Sequence, residues 1–260
     1  MNAVQQIHSS ENFPALHSPV TLPDLSTASK LSTGSAPLER LLGGGLPRGE
    51  TVEVYGQRSG GRFSMALTAL AMATARGRSA ALVDLGDCLD PQSAAAAGVD
   101  LGRLLWVRPR RLDQALASTE AIIGSGIPLV VIDLGIPPIP GGHGDQQAWR
   151  RLILAAREHR VALWISSPFR ITGDAANTVI EAFQPSVSWR RQGETSRILG
   201  GLSSHLELRS TGGGGASQET GPQRLSLGTS DTLAEDAGDD VRILEFPARE
   251  RDLPRYRAIA

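Results

Sequence analysis

From Thr51 to Ser166 the chain alternates between two patterns. Short apolar runs (TVEVYG, SAALVDLG, RLLWVRP, PLVVIDLG, VALWIS) are separated by stretches whose apolar positions recur at helical spacing. The helical stretches are FSMALTALAMATARG, PQSAAAAGV, LDQALASTEAIIGSG and QQAWRRLILAAREH. Runs of four to six apolar residues bounded by glycine or charge, with a helix between each pair, predict parallel strands buried on both faces. The expected class is α/β, a doubly wound and mostly parallel sheet. After Ser166 the pattern changes. PSVSWRR and SSHLELRS alternate apolar and polar residues on either side of QGETSRILGG, which predicts an antiparallel hairpin on the sheet edge.

The flanks follow neither period. Residues 1–30 hold three prolines and many hydroxyl side chains, and are expected to form a flexible arm. A core over 31–210 is followed by the glycine-rich TGGGGASQETGP and the acidic TLAEDAGDD, so residues 211–240 are expected to be a disordered linker. The last segment, VRILEFPARERDLPRYRAIA, mixes aromatic, aliphatic and arginine residues. It reads equally as a docking segment or as a strand folding back on the core. As a docking segment its anchors would be Phe246, Leu253, Pro254, Arg255 and Tyr256, the residue types that dominate interfaces.

Composition narrows the chemistry. A formal net charge of −1 removes a bulk electrostatic drive toward nucleic acid, so any DNA contact must be local. Cys88 is the single cysteine and no Cys/His cluster has metal-ligand spacing, which fits a reducing cytoplasm. No apolar run is long enough to span a membrane, and no secretory leader is recognisable. Lys30 is the single lysine, against an abundance of arginine.

TVEVYG runs into GQRSGGRFS and then a helix, the strand, glycine loop and helix order in which backbone N–H groups cradle phosphates. Gly56 and Gly61 have P-loop spacing, with Ser59 and Gly60 between them. The lysine position holds Arg62 and the magnesium-binding hydroxyl position holds Phe63. Arginine is longer and differently aimed than lysine, and phenylalanine cannot bind a metal. Ser64, one residue on, points about 100° further round the helix. The loop therefore reads either as a ligand-free turn or as a weak nucleotide or anion site, and efficient ATP hydrolysis is not expected.

STGSAPLERLLGGGLPRGETVEVYG and the glycine loop resemble the segment leading into the P-loop of bacterial RecA. DLGDCLDPQSAAAAGVDLGRLLWVRP, PLVVIDLG, VALWISSPFR and SVSWRRQGETSRILGG resemble successive RecA segments, so the likeness covers about residues 31–210. The resemblance implies a RecA-like fold and places an acidic Walker B residue at Asp133. It also places an adenine-side Asp-Pro at Asp90 and Pro91, with Ser93 near the position of the stacking aromatic. Asp84 is kept, but the catalytic glutamate falls at Gly86, with Asp87 adjacent, and the γ-phosphate sensor falls at Ser167. Weak DNA contacts would come from Phe169, Arg170, Arg190 and Arg191, in a shortened second DNA loop, with a solvated surface as the other reading. The first DNA loop would lie in GIPPIPGGHGDQQ.

A RecA-like core without these catalytic groups is similar to the ImuA group. That resemblance implies a non-catalytic adaptor in the SOS response, with RecA and an ImuB-type polymerase subunit as partners in translesion synthesis and single-stranded DNA as a further contact. No cofactor is expected, ATP and magnesium being what an intact motif would hold. The alternatives are a DNA-dependent ATPase with an atypical P-loop, and a SulA-like division inhibitor.

Overall fold

A computed structural model describes residues 30–192, 196–211 and 222–228, without the side chains of 190–199, 211, 227 and 228. The expectations for a flexible arm and for a C-terminal docking segment fall outside these residues.

The elements are β1 (Lys30–Leu31), α1 (Ala36–Leu41), β2 (Leu46–Pro47), β3 (Thr51–Gly56), α2 (Arg62–Ala75), β4 (Ala80–Asp84), α3 (Pro91–Ala96) and β5 (Leu104–Val107). There follow α4 (Leu112–Ile123), β6 (Leu129–Asp133), α5 (Gln146–Glu158), β7 (Ala162–Ser167), β8 (Thr178–Gln192), β9 (Ser196–Thr211) and β10 (Gln223–Gly228). Eight strands form one sheet in the order β10-β9-β8-β3-β7-β6-β4-β5, and β1 pairs with β2 apart from it. From β8 to β5 all pairings are parallel; β9 and β10 add antiparallel strands.

The strand period sorts side chains cleanly between two cores. Leu82, Val131 and Trp164 face the core built with α1, α2 and α3. Their neighbours Val83, Ile132 and Ile165 face the core built with α4 and α5. Burial on both faces is what lets these strands be continuous apolar runs. The α/β, doubly wound and mostly parallel class is thus the one observed.

Two boundaries differ from the expectation. The hairpin is longer than PSVSWRR and SSHLELRS, and its first strand begins at Thr178 and lies parallel beside β3. The hairpin thus continues one side of the parallel sheet beyond β3, with β10 as the outermost strand. The edge is β10, whose residues Gln223–Gly228 fall inside the segment expected to be a linker. Leu225 is buried there against the first core, so a single well-placed apolar residue and the backbone edge of β9 suffice to hold a strand in glycine-rich surroundings. Lys30, the single lysine, donates from Nζ to the carbonyls of Leu42 and Gly43 just past the end of α1, where a cation meets the negative end of the helix.

Candidate functional site

The glycine loop sits at the carboxyl end of β3, against the hairpin. A side chain at Gly56 would meet the carbonyl oxygen of Ala182 at 2.1 Å, and Ser204 Oγ donates to the Gly60 carbonyl at 2.9 Å. Ser59 and Gly61 take positive φ of 65° and 81°, and Gly61 caps α2 without a side-chain hydrogen bond. The loop and the strand ends opposite line a depression of about 180 Å³, smaller than the roughly 300–1,000 Å³ of ordinary small-molecule sites.

Arg62 explains much of that size. Its side chain does not reach outward to where phosphates would lie but turns into the protein. One guanidinium nitrogen donates to Ser166 Oγ at 3.0 Å and another to the Gly135 carbonyl at 3.1 Å, while Nε has no partner. Burial lowers its pKa, and Asp133 and Cys88 oppose that shift. Phe63, at the hydroxyl position, packs partly buried against the first core. Ser64 lines the depression and its carbonyl accepts from Thr68 Oγ1 within the helix.

Asp133 ends β6 at 2% exposure. Burial raises its pKa; a hydrogen bond from Ser166, the charge of Arg62 and the Gly135 N–H counteract the shift, and Asp84 adds to it. Its Oδ2 is buried without a partner. Ligand atoms of Asp84, Cys88 and Asp133 lie within 4.8 Å of one another. The Asp84 carboxylate is already engaged, accepting from the N–H groups of Cys88 and Leu89 and from Trp106 Nε1. Burial pushes the Cys88 thiol up to about 11, with Asp133 and Asp84 adding to the shift, so it is a poor thiolate ligand at neutral pH. The arrangement leaves Asp133 Oδ2 as the acceptor still open to a cation, beside a guanidinium that already carries positive charge.

Gly86 is more than a missing side chain. A Cβ there would meet Gly135 Cα at 2.5 Å and Asp133 Oδ2 at 2.9 Å, and a Cβ at Gly135 would meet Gly86 Cα at 2.5 Å. The turns after β4 and β6 have closed over the volume that a glutamate at 86 would need. Asp87 is turned away and pairs with Arg108 at 2.7 Å. Asp90 caps α3, accepting from the Ser93 backbone and hydroxyl, so both residues read as the adenine side form an internal helix cap.

At Ser167 the structure reveals a group the sequence does not single out. Glu53, in the middle of β3 and fully buried, accepts from Ser167 Oγ, the N–H groups of Ile171 and Thr172, and Thr172 Oγ1. These contacts fix the connection after β7, where a DNA loop is expected. Phe169 packs against the second core and the His143 ring, 4.9 Å between centroids. Arg170 donates to the Gly173 carbonyl and pairs with Asp174. Both candidate DNA residues thus have internal partners. Arg190 and Arg191 lie near the end of β8, opposite Ile198 and Arg197. Phe246, Leu253, Pro254, Arg255 and Tyr256 lie outside the described residues. No helix among the described residues is long and apolar enough to cross a membrane.

Comparison with known proteins matches residues 20–144 to the RecA N-terminal domain. Over 112 residues the chain is 43% identical to Protein RecA of Clostridium acetobutylicum, covering 42% of this chain and 32% of that one. With Protein RecA of Thermus thermophilus the identity is 38% over 154 residues, or 52% and 45% of the two chains. With that of Clostridioides difficile it is 46% over 117 residues, or 44% and 34%. The chain spans between a third and a half of the length of these relatives. The matched segment takes in β1 to β6 and carries the glycine loop and the ends of β4 and β6, so this part of the chain is RecA-like.

Proposed function

We propose that this protein is a non-catalytic RecA-like accessory protein, an adaptor of the ImuA type in DNA-damage-induced translesion synthesis. The observation that carries the reading is Arg62. A side chain that in an intact P-loop would meet the β- and γ-phosphates instead donates to Ser166 Oγ and the Gly135 carbonyl. The closure of Gly86 on Gly135 supports it, because a water-polarising glutamate has no room there. On this reading the core docks on RecA, and the segment with Phe246 and Tyr256 engages an ImuB-type polymerase subunit.

Two observations favour an ATPase instead: Asp133 keeps a carboxylate oxygen without a partner among the described residues, and curated relatives carry the name Protein RecA. The test is equilibrium binding of a fluorescent ATP analogue with magnesium, with turnover measured with and without single-stranded DNA. The expected result is neither binding nor turnover in the native chain, and binding on restoring Arg62→Lys with Phe63→Thr. Restoring glutamate at 86 is not a usable control, given the contact with Gly135. DNA-stimulated turnover by the native chain would overturn the reading. Co-purification with RecA and ImuB that survives deletion of residues 241–260 would remove the role of the tail.

A further inference from the structure

The opposite end of the sheet, where the parallel strands begin, carries a group of arginines outside the site described above. Arg48 and Arg78, with Ser79, Ser125, Gly126 and Pro128, line a depression of about 340 Å³. Ser79 and Pro128 are the residues just before β4 and β6, so the depression lies across the amino ends of neighbouring strands. It is nearly twice the volume of the one at the glycine loop.

The arginines here are a group rather than a scatter. Arg78 is half-buried, and burial, then Arg48 and Arg76, lower its pKa, which places both of these charges within electrostatic reach of Arg78. Arg48 donates from Nε to the Arg160 carbonyl, and a Cβ at Gly49 would lie 3.4 Å from the Arg157 carbonyl, so the turn after α5 closes the same edge. Arg103 donates to the Gly77 carbonyl but is paired with Asp100.

Among the described residues the side chains of Arg76 and Arg78 have no hydrogen-bond or ion-pair partner. Among the described residues the acids near this edge do not neutralise them: Asp100 is taken by Arg103, and Glu50 and Glu158 are exposed and form no ion pair. The carboxyl ends of α2, α4 and α5 also point this way, and their dipoles favour nearby cations. That effect fades within the last turn and leaves the guanidinium forks of Arg76 and Arg78 able to bind.

We propose that this arginine-lined edge binds the phosphodiester backbone of duplex nucleic acid. Guanidinium forks match phosphate oxygens bidentately, and serine hydroxyls beside them are ordinary phosphate donors. The depression has no aromatic lining, and binding of single strands relies on aromatic platforms for stacking bases, so backbone contact to a duplex fits better. In a chain of net charge −1, such a local surplus is where counterion release could drive association.

The test uses the full chain and a fluorescein-labelled DNA duplex of mixed sequence, read by anisotropy over a salt series. Binding is expected to weaken steeply with salt, and Arg76→Ala with Arg78→Ala to lower affinity and reduce the log–log slope by about two. Arg76→Glu, at an exposed position with no partner to lose, should abolish binding without unfolding the chain, as checked by circular dichroism. Arg151→Ala, which removes a pair with Glu120 on another face, should change nothing. Four results overturn the proposal: an unchanged slope in the Arg76/Arg78 variant, loss confined to Arg170→Ala, tighter binding of a single strand than of the duplex, or binding of polyglutamate but not DNA.

Discussion

Two buried carboxylates stand on β3 and β6, the strands that flank β7, and solve the same problem in opposite ways. Glu53 accepts hydrogen bonds from four donors of one connection and leaves no oxygen unmatched. Asp133 keeps an oxygen with no partner, and Arg62 nearby keeps an unmatched Nε. A fully satisfied buried network rigidifies what it holds, whereas a partly satisfied one costs stability and persists for other reasons. Glu53 is thus a structural fastener. The corner at Asp133 keeps polar atoms that the described residues leave unmatched.

If that contrast is right, the two carboxylates respond differently to removal. Glu53→Ala strands two hydroxyls and two N–H groups in the interior, and is expected to cost about 3–5 kcal/mol by urea unfolding. Its effect should be concentrated on the connection after β7, seen as loss of amide protection at Ile171 and Thr172. A cost close to zero would mean that this loop is held by Ile171 and Phe169 packing alone, and the contrast would fail on its stronger side.

At the other corner the expected change is smaller and depends on pH. Arg62→Met removes two hydrogen bonds and the cation that offsets burial of Asp133, for about 2–3 kcal/mol near neutral pH. The Asp133 pKa is raised in the folded protein, so its ionisation weakens the fold as pH rises through the folded value. Without Arg62 that pKa rises further. The destabilisation should therefore be largest above the folded pKa of Asp133 and shrink below the ordinary carboxylate range of about 4. A loss of equal size at both ends of the pH range would show that Arg62 and Asp133 do not communicate.

The sequence displays one of these regions better than the other. The parallel strands are legible because burial on both faces writes them as unbroken apolar runs, and the glycine loop because its spacing is rigid. Glu53 is hidden because TVEVYG reads only as a strand buried on both faces, with nothing nearby to match its single acid, and the donors it serves lie more than a hundred residues away. Arg62 is legible as a departure from lysine but not as a side chain turned inward, since its acceptors come from the ends of β6 and β7. Gly86 reads as a missing side chain, while its closeness to Gly135 needs the pairing of β4 with β6. β10 is hidden for a related reason: QRLSLG is ordinary in composition, and only the free edge of β9 makes it a strand.

Gly86→Ala probes the corner without touching charge. The added methyl would lie 2.5 Å from Gly135 Cα and 2.9 Å from Asp133 Oδ2, closer than packed atoms tolerate. The atom in the way is backbone, so no side chain can swing aside, and the turns after β4 and β6 must part. The expected cost is about 1–2 kcal/mol, at the low end for overpacking because Gly86 is only half-buried and the two turns can shift outward. The same shift moves the Gly135 carbonyl away from Arg62, so Gly86→Ala and Arg62→Met should be non-additive when combined, the double variant costing less than the sum. Strict additivity would mean that closure of the turns and the inward arginine are separate accidents. Coupling would mean that one rearrangement filled the phosphate side and the catalytic side of the site together.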